Sequence, residues 1–377
     1  MFLFLICGGI RSMASSKSIS KTRQKKPILS GEIASSQQEE LSGNSSISKN
    51  FCMTPDYSLI KMTNELIAEV NGTGGTIEQT YHYVVDKGAM SWIKKSSQED
   101  WLASRSSIPM EEIVDSIVHR LKKTSYRQDA VDILALGCGQ ANDERRMVQI
   151  FQKNTQIKDI KLNLFDISPF LLNEGYQKTR LAFSGDPQVE VGGVYGNFHY
   201  LQRHMEVLSI SPTSNRLLVV MMLGSTWGNL ENELLLLRSG FRALPPQTIF
   251  LVDTVERYAP VGDTGLVRAK DPWLKGMSPW QKESLDFLLT PLLIYREGMS
   301  NSSIEWEYVL DDHNFYIPGS YTVDVRVHLK PNVRFSLRKF KRYQQEGLQE
   351  VFHREDWTLF RSFPFNPNCR AYLFQKR

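Results

Sequence analysis

VDILALGCGQANDERRMVQ, residues 131–149, decides how the rest of the chain folds. An apolar run with β-branched members, Val131 and Ile133 beside Leu134 and Leu136, breaks at Gly137, Cys138 and Gly139 and passes into a polar segment with helical spacing. That order reads as strand, tight glycine turn, helix, the first unit of a nucleotide-binding α/β domain. A dinucleotide fingerprint rests a pyrophosphate on the helix N-terminus and uses a third glycine for close helix–strand packing. Here Asn142 takes the third glycine's place, with Asp143 and Glu144 after it. Acids in a first helical turn suit the helix dipole but oppose a pyrophosphate placed there. The stretch fits a ligand with a nucleoside and a cationic end, without phosphate, better than NAD.

The next strand, KLNLF (residues 161–165), ends in Asp166, where a carboxylate can accept hydrogen bonds from both ribose hydroxyls of such a ligand. S-adenosylmethionine (SAM), with its sulfonium and ammonium groups, meets the description. Ser168 and Pro169 then start a helix as N-cap and first-turn residues. Asp166 also reads as a second capping residue.

Beyond Asp166 the alternation continues. Residues 189–194 form a candidate third strand running into YGNF, and RLLVVMM (residues 216–222) is apolar throughout, as a strand buried on both faces requires. It leads into LGSTWGN, then a helix over residues 231–244 stopped by Pro245-Pro246, then a strand over residues 248–252 ending at Asp253. The pattern predicts an α/β fold, a doubly wound, Rossmann-like parallel sheet with its ligand along the carboxyl edge.

Upstream, residues 51–123 read as a helical segment, with Leu59, Met62, Leu66 and Ile67 on one face and Ile113, Ile117 and Leu121 on another. Within it Tyr81, Tyr83, Trp92 and Trp101 stand in a polar context, where aromatics either line a ligand cavity or staple helices to the core. Residues 124–258 make the cofactor-binding core. Downstream, residues 303–310, 321–329, 333–340 and 370–375 alternate like antiparallel strands, so residues 259–377 read as an α+β lobe supplying half of a substrate pocket. Residues 1–50 carry an apolar start too short to span a bilayer and a Ser-, Lys- and Gln-rich stretch that cannot offset its ordering entropy, so they read as a disordered tail.

The composition, 41% hydrophobic and 23% charged over 377 residues, is that of a globular protein, and a formal charge of +4 argues against a nucleic-acid partner. The four cysteines are scattered, without metal-ligand spacing, which points to no structural metal, no disulfide framework and a reducing, cytoplasmic setting.

With these residues in view, the chain resembles the SAM-dependent methyltransferases of the histidine Nα-methyltransferase type, a family that also includes fungal dimethylallyltryptophan N-methyltransferases. LGSTWGNLE (residues 223–231) carries the resemblance most specifically; ILALGCGQANDE (133–144), LFDIS (164–168) and YVVDKGAMSW (83–92) carry it more loosely. It implies that Gly137 and Gly139 pass the methionine moiety, Asp166 holds the ribose, Asn197 sits near the adenine, and Gly224, Ser225 and Thr226 line the cofactor. Asn229 would hydrogen-bond an amino acid substrate, although it also reads as a helix N-cap.

The departures concern the substrate. The family's substrate tyrosine aligns with Leu102, beside Trp101. Where the histidine enzymes place a glutamate and a serine on the imidazole, RFSLRKF (residues 334–340) offers Ser336 and Arg338. A hydroxyl and a cation do not make an imidazole site, so the acceptor is expected to be other than histidine, with an anionic group near Arg338. Alternatively Arg338 joins Lys339, Lys341 and Arg342 on a solvated basic face.

The reading is SAM-dependent methyl transfer to an amine or other heteroatom of a small amino-acid-like metabolite, with Tyr83, Trp92 and Trp101, and also Tyr81 and Trp227, shaping the pocket and no general base in sight. The alternative is a methyltransferase-fold protein that binds SAM or a metabolite without transfer. No stable membrane insertion is expected. Deleting residues 1–50 is expected to leave the melting temperature unchanged within error in thermal unfolding; a drop of many degrees would show that this segment packs on the folded part.

Overall fold

The computed structural model describes residues 51–53, 74–154, 156–272, 274, 287–292, 304–312, 316–330 and 333–377. The tail expected over residues 1–50 and the helical face of Leu59, Met62, Leu66 and Ile67 lie outside them. The described chain runs β1 (Phe51–Met53), β2 (Gly74–Thr76), α1 (Asp86–Ser96), α2 (Glu99–Ser106), α3 (Met110–Leu121), β3 (Ala130–Leu136), α4 (Asn142–Lys153), β4 (Asp159–Asp166), α5 (Pro169–Ala182) and β5 (Val189–Tyr195). It continues through β6 (Leu217–Met222), β7 (Ile249–Val255), β8 (Glu305–Asp311), β9 (Tyr321–Lys330), β10 (Val333–Arg342), α6 (Gln345–Arg354), β11 (Trp357–Asn366) and β12 (Cys369–Lys376).

β3 and β6 are buried at every position, which is why both read as unbroken apolar runs. β3 pairs in parallel with β4 and β6, β4 with β5, and β6 with β7, inside an eight-stranded sheet of order β1-β5-β4-β3-β6-β7-β12-β11. Chain order reverses between β3 and β6, so the crevice of this doubly wound, Rossmann-like sheet opens over their carboxyl ends, where Gly137 and Leu223 leave the strands. The helix expected over residues 231–244 is broken up: one helical turn, Glu233–Leu235, passes into a π-helical turn, Leu236–Gly240. Among the described residues no helix is long and apolar enough to cross a membrane.

Residues 357–376, expected in a separate lobe, return to the main sheet. β12 runs antiparallel between β7 and β11. Ala371 and Leu373 enter the core on one face of the sheet and Tyr372 and Phe374 the core on the other, so the strand is apolar on both sides rather than half-exposed. The segment 51–123 is not helical throughout either. β1, FCM, pairs with β5 and β2, GGT, with β10; strands of three residues are too short to carry a periodicity to read, and partner edges recruit them.

The second sheet, order β2-β10-β9-β8, holds its own core, where Val325, Val327, Phe335 and Leu337 meet Phe287 and Leu288. A β-bulge interrupts it: Ser336 pairs with Arg326, but the next pair is Arg338 with Val325, then Lys339 with Asp324. One extra residue moves every later side chain to the opposite face. Ser336 and Arg338, which a period of two puts side by side, therefore face opposite ways.

β10 is bolted to the loop after β6 by a buried ion pair. Lys341 Nζ lies 2.6 Å from Glu233 Oε2 and donates to the Leu230 carbonyl at 2.6 Å, while the Tyr343 hydroxyl donates to Glu233 Oε1 at 2.6 Å. Arg342 pairs with Asp271 at 3.1 Å. Lys341 and Arg342 are thus not the solvated basic face their sequence suggested; their charges are buried because carboxylates from other elements meet them. Removing one member of such a pair strands the other, so Lys341→Met is expected to cost about 3–5 kcal/mol in urea unfolding, with Lys341→Met/Glu233→Gln recovering part of the loss. A single variant as stable as the wild type would contradict this.

Candidate functional site

The turn after β3 depends on backbone that only glycine adopts easily: φ is +68° at Gly137 and +51° at Gly139. A Cβ on Gly137 would come within 3.3 Å of Thr226 Cγ2. Asp166, at the end of β4, secures the turn. Its Oδ2 accepts the Gly139 amide at 2.9 Å and its Oδ1 the Ser168 amide at 2.8 Å. Ser168 in turn caps α5, its hydroxyl accepting from the Leu171 amide at 3.3 Å. Ser168 is thus the cap and Asp166 holds the cap's backbone rather than capping α5 itself; it also lines a cavity, with lone pairs left to accept from a ligand. Burial pushes its carboxyl up to about 6 against the opposing amides of Ser168 and Gly139. The folded state then holds the proton more tightly than the unfolded chain, so ionising Asp166 removes stability as pH rises from the ordinary carboxylate value to about 6.

The cavity, about 550 Å³, spans the carboxyl ends of the central strands. Of the residues assigned to a cofactor, Gly137, Gly139, Asp166, Asn197 and Thr226 line it; of those assigned to an acceptor, Tyr83, Trp92 and Asn229 do. Asn197 also caps the turn Phe198–Arg203, accepting the His199 amide at 3.0 Å. The capping role considered for Asn229 belongs to Asn232, which accepts the Leu235 amide at 3.1 Å.

Other expectations are corrected. Gly224 and Trp101 line a smaller adjoining space of about 80 Å³ over the start of α4, with Leu102 beside them. Ser225 is in neither wall: it has φ +58° and spends its amide on Asp253 Oδ1 at 2.8 Å. Trp227 is fully buried between Phe250 and Phe352, and Tyr81 sits in the core of the second sheet, so both are staples rather than pocket walls. Ser336 donates to Asp324 Oδ1 at 2.6 Å, outside the main cavity. Arg338 is 4% exposed; its guanidinium lies 5.3–5.8 Å from the Tyr83, Phe287 and Phe340 rings, and Nη2 donates to the Tyr83 hydroxyl at 3.0 Å. It reaches the cavity only through Tyr83, so neither the solvated reading nor direct contact with an anionic acceptor in that cavity describes it.

Arg105 escaped the sequence reading. From α2 it donates to Asp143 Oδ2 at 2.7 and 2.9 Å and pairs with Asp253 at the end of β7. Glu144 is buried, and that burial, followed by the charge of Asp143, pushes its carboxyl up to about 8, leaving it protonated at neutral pH. The acids after the turn thus project less negative charge than their sequence suggests. The space over the start of α4 is small, about 80 Å³, and is walled by Trp92 and Trp101, which pack edge-on at 5.5 Å, with the Arg105 guanidinium 6.0 Å from the Trp101 ring. An unpaired acid in a first helical turn and another at a strand end were the signals that a cation had to be found.

No family model matches the chain, and no curated protein matches it. Solved structures do. An amino pentose methyltransferase from Micromonospora echinaspora with SAM bound is similar at 11% identity and a TM-score of 0.36, over 74% of this chain and 98% of that one. A magnesium protoporphyrin IX methyltransferase from Synechocystis PCC 6803 is similar at 10% identity and a TM-score of 0.41, over 78% and 95%. The mitomycin 7-O-methyltransferase is similar at 10% identity and a TM-score of 0.39, over 84% and 68%. At these scores the likeness assigns no activity to this chain, and its fold is read from its own strand order, a mostly parallel sheet with one antiparallel strand, β12, next to β7.

Proposed function

We propose that the cavity binds SAM and that the protein transfers its methyl group to a heteroatom, an amine foremost, of a small amino-acid-like metabolite other than histidine. The observation that carries this reading is one continuous wall in which the glycine turn and Asp166 face Tyr83, Trp92 and Asn229. The residues fit the group. Bare backbone at Gly137 and Gly139 admits a methionine chain, Asp166 retains acceptor capacity for ribose hydroxyls, and Asn197 stands at the next strand end, where an adenine would lie. Among the described residues no lysine or arginine lines the main cavity, which suits a cationic ligand. When bound, SAM supplies a methyl group already activated on its sulfonium.

The chain's own residues then have to align the nucleophile and keep water out. Trp92 and Tyr83, 5.8 Å apart and edge-to-face, present aromatic surface to the cavity, which favours a cationic centre. An amine with a free pKa of about 8 must lose a proton before it attacks, a modest demand that needs no strong base.

The ionised form of Asp166 is the one that accepts two hydroxyls, so SAM affinity measured by calorimetry is expected to fall as pH drops through about 6. Asp166→Ala is expected to weaken SAM by about 1.5–3 kcal/mol and to abolish that pH step. A variant that titrates like wild type contradicts the assignment. SAM binding without transfer of labelled methyl to any amine offered would select the reading of a binding protein without transferase activity.

A further inference from the structure

The edge of the main sheet opposite the cofactor crevice carries a hollow of about 340 Å³, a size usual for small-molecule sites. Distant stretches of chain meet there. Arg120 and Lys123 come from the end of α3 and Thr358 from the start of β11. β12 runs antiparallel to β7 and so delivers Lys376 and Arg377 to the amino-terminal edge of the parallel strands, where Gln375 pairs with Ile249. Four cations therefore line one space, and among the described residues no acidic side chain lines it with them. Asp356 acts on Lys376 from outside the wall, and counting the α-carboxylate of Arg377 against the four cations still leaves the hollow positive.

Hydrogen bonds separate what is spent from what is free. Lys376 gives its protons to the carbonyls of Phe241, Arg242 and Leu244 at 3.1, 2.8 and 2.6 Å, so it supplies the hollow with charge alone. Arg120 uses Nε and Nη2 on Gln375 Oε1, and Arg377 uses Nε on the Thr358 hydroxyl and Nη2 on His353. Nη1 of each has no partner among the described residues. Lys123 is exposed and likewise without one. Because the Thr358 hydroxyl accepts from Arg377, its own proton is available. An ammonium, two guanidinium corners and a hydroxyl proton are thus on offer, all donors, in a positive field. The complementary ligand carries negative charge and several acceptor oxygens on one centre.

We propose that this hollow binds a terminal phosphate group, at a site separate from the cofactor crevice and independent of the SAM reading. Such a group has three free oxygens and, with a second pKa of about 6, is close to dianionic at neutral pH. The internal phosphates of a dinucleotide each keep a single charge and two free oxygens, so NADH does not meet the requirement. The same terminal group comes free, as inorganic phosphate, or attached, as a phosphomonoester.

The test is calorimetry on the full chain at neutral pH and low salt. The probes are inorganic phosphate, glucose 6-phosphate, glycerol 3-phosphate and ribose 5-phosphate, with glucose, glycerol and ribose as unphosphorylated controls. At least one phosphorylated probe is expected to saturate one site per chain, and no control is. Lys123→Glu should weaken that probe about tenfold or more, the usual effect of losing a charged hydrogen bond, and Lys123→Arg should keep it. Lys153→Glu, the same charge change at an exposed position of α4, should leave it unaltered. Inorganic phosphate binding within tenfold of the best ester assigns the hollow to the free ion, and a larger gap in the ester's favour assigns it to a phosphomonoester. Failure of every phosphorylated probe to saturate overturns the site, as does binding that Lys123→Glu leaves intact or weakens no more than Lys153→Glu does.

Discussion

A carboxylate at the end of one strand accepts the amide of the glycine turn at the end of its neighbour, and the rest of the site is placed by that contact. Asp166 and Gly139 are 2.9 Å apart, and the same carboxylate takes the Ser168 amide that opens α5. Three pieces of backbone, the end of β3, the end of β4 and the start of α5, are thereby referenced to one buried side chain. The arrangement has a cost, visible in a carboxyl pushed up to about 6 by burial.

Over that floor the N-terminal segment forms a roof, and its attachment is electrostatic. Arg105 is shared between Asp143 and Asp253, and Asp253 also takes the Ser225 amide at 2.8 Å. One guanidinium therefore ties α2 to the start of α4 and to the end of β7, and carries Trp101 and, through it, Trp92 into position over the turn. The planar fork of arginine suits two carboxylates at once in a way that lysine's point charge does not. On the other side, Lys341 and Glu233 fix the second sheet to the loop after β6 through a buried ion pair, while the glycine turn is set by main-chain geometry.

Much of the floor was legible in the sequence because local chemistry dictates it. Apolar runs at β3 and β6, glycines at 137 and 139, and a carboxylate after β4 each announce their conformations without help from distant residues. The walls were less legible, for physical reasons that differ case by case. Ser336 and Arg338 are two apart and look like neighbours on one face, yet a single bulged residue separates them, and nothing in RFSLRKF marks where the ladder slips. Arg105 is unremarkable in WLASR until the folded chain brings it two acids from 38 and 148 residues away. β12 read as an antiparallel strand of the C-terminal lobe, and its place in the main sheet was hidden because Ala371, Tyr372, Leu373 and Phe374 alternate between two apolar cores rather than between core and water.

The central claim is that this crevice takes a cationic nucleoside and not a dinucleotide. Parallel calorimetric titrations with SAM and with NADH at neutral pH test it most directly. The account predicts saturable binding of SAM at one site per chain and none of NADH, because the space over the start of α4, walled by Trp92 and Trp101, is only about 80 Å³. Tight binding of NADH, with SAM failing to saturate, would contradict it.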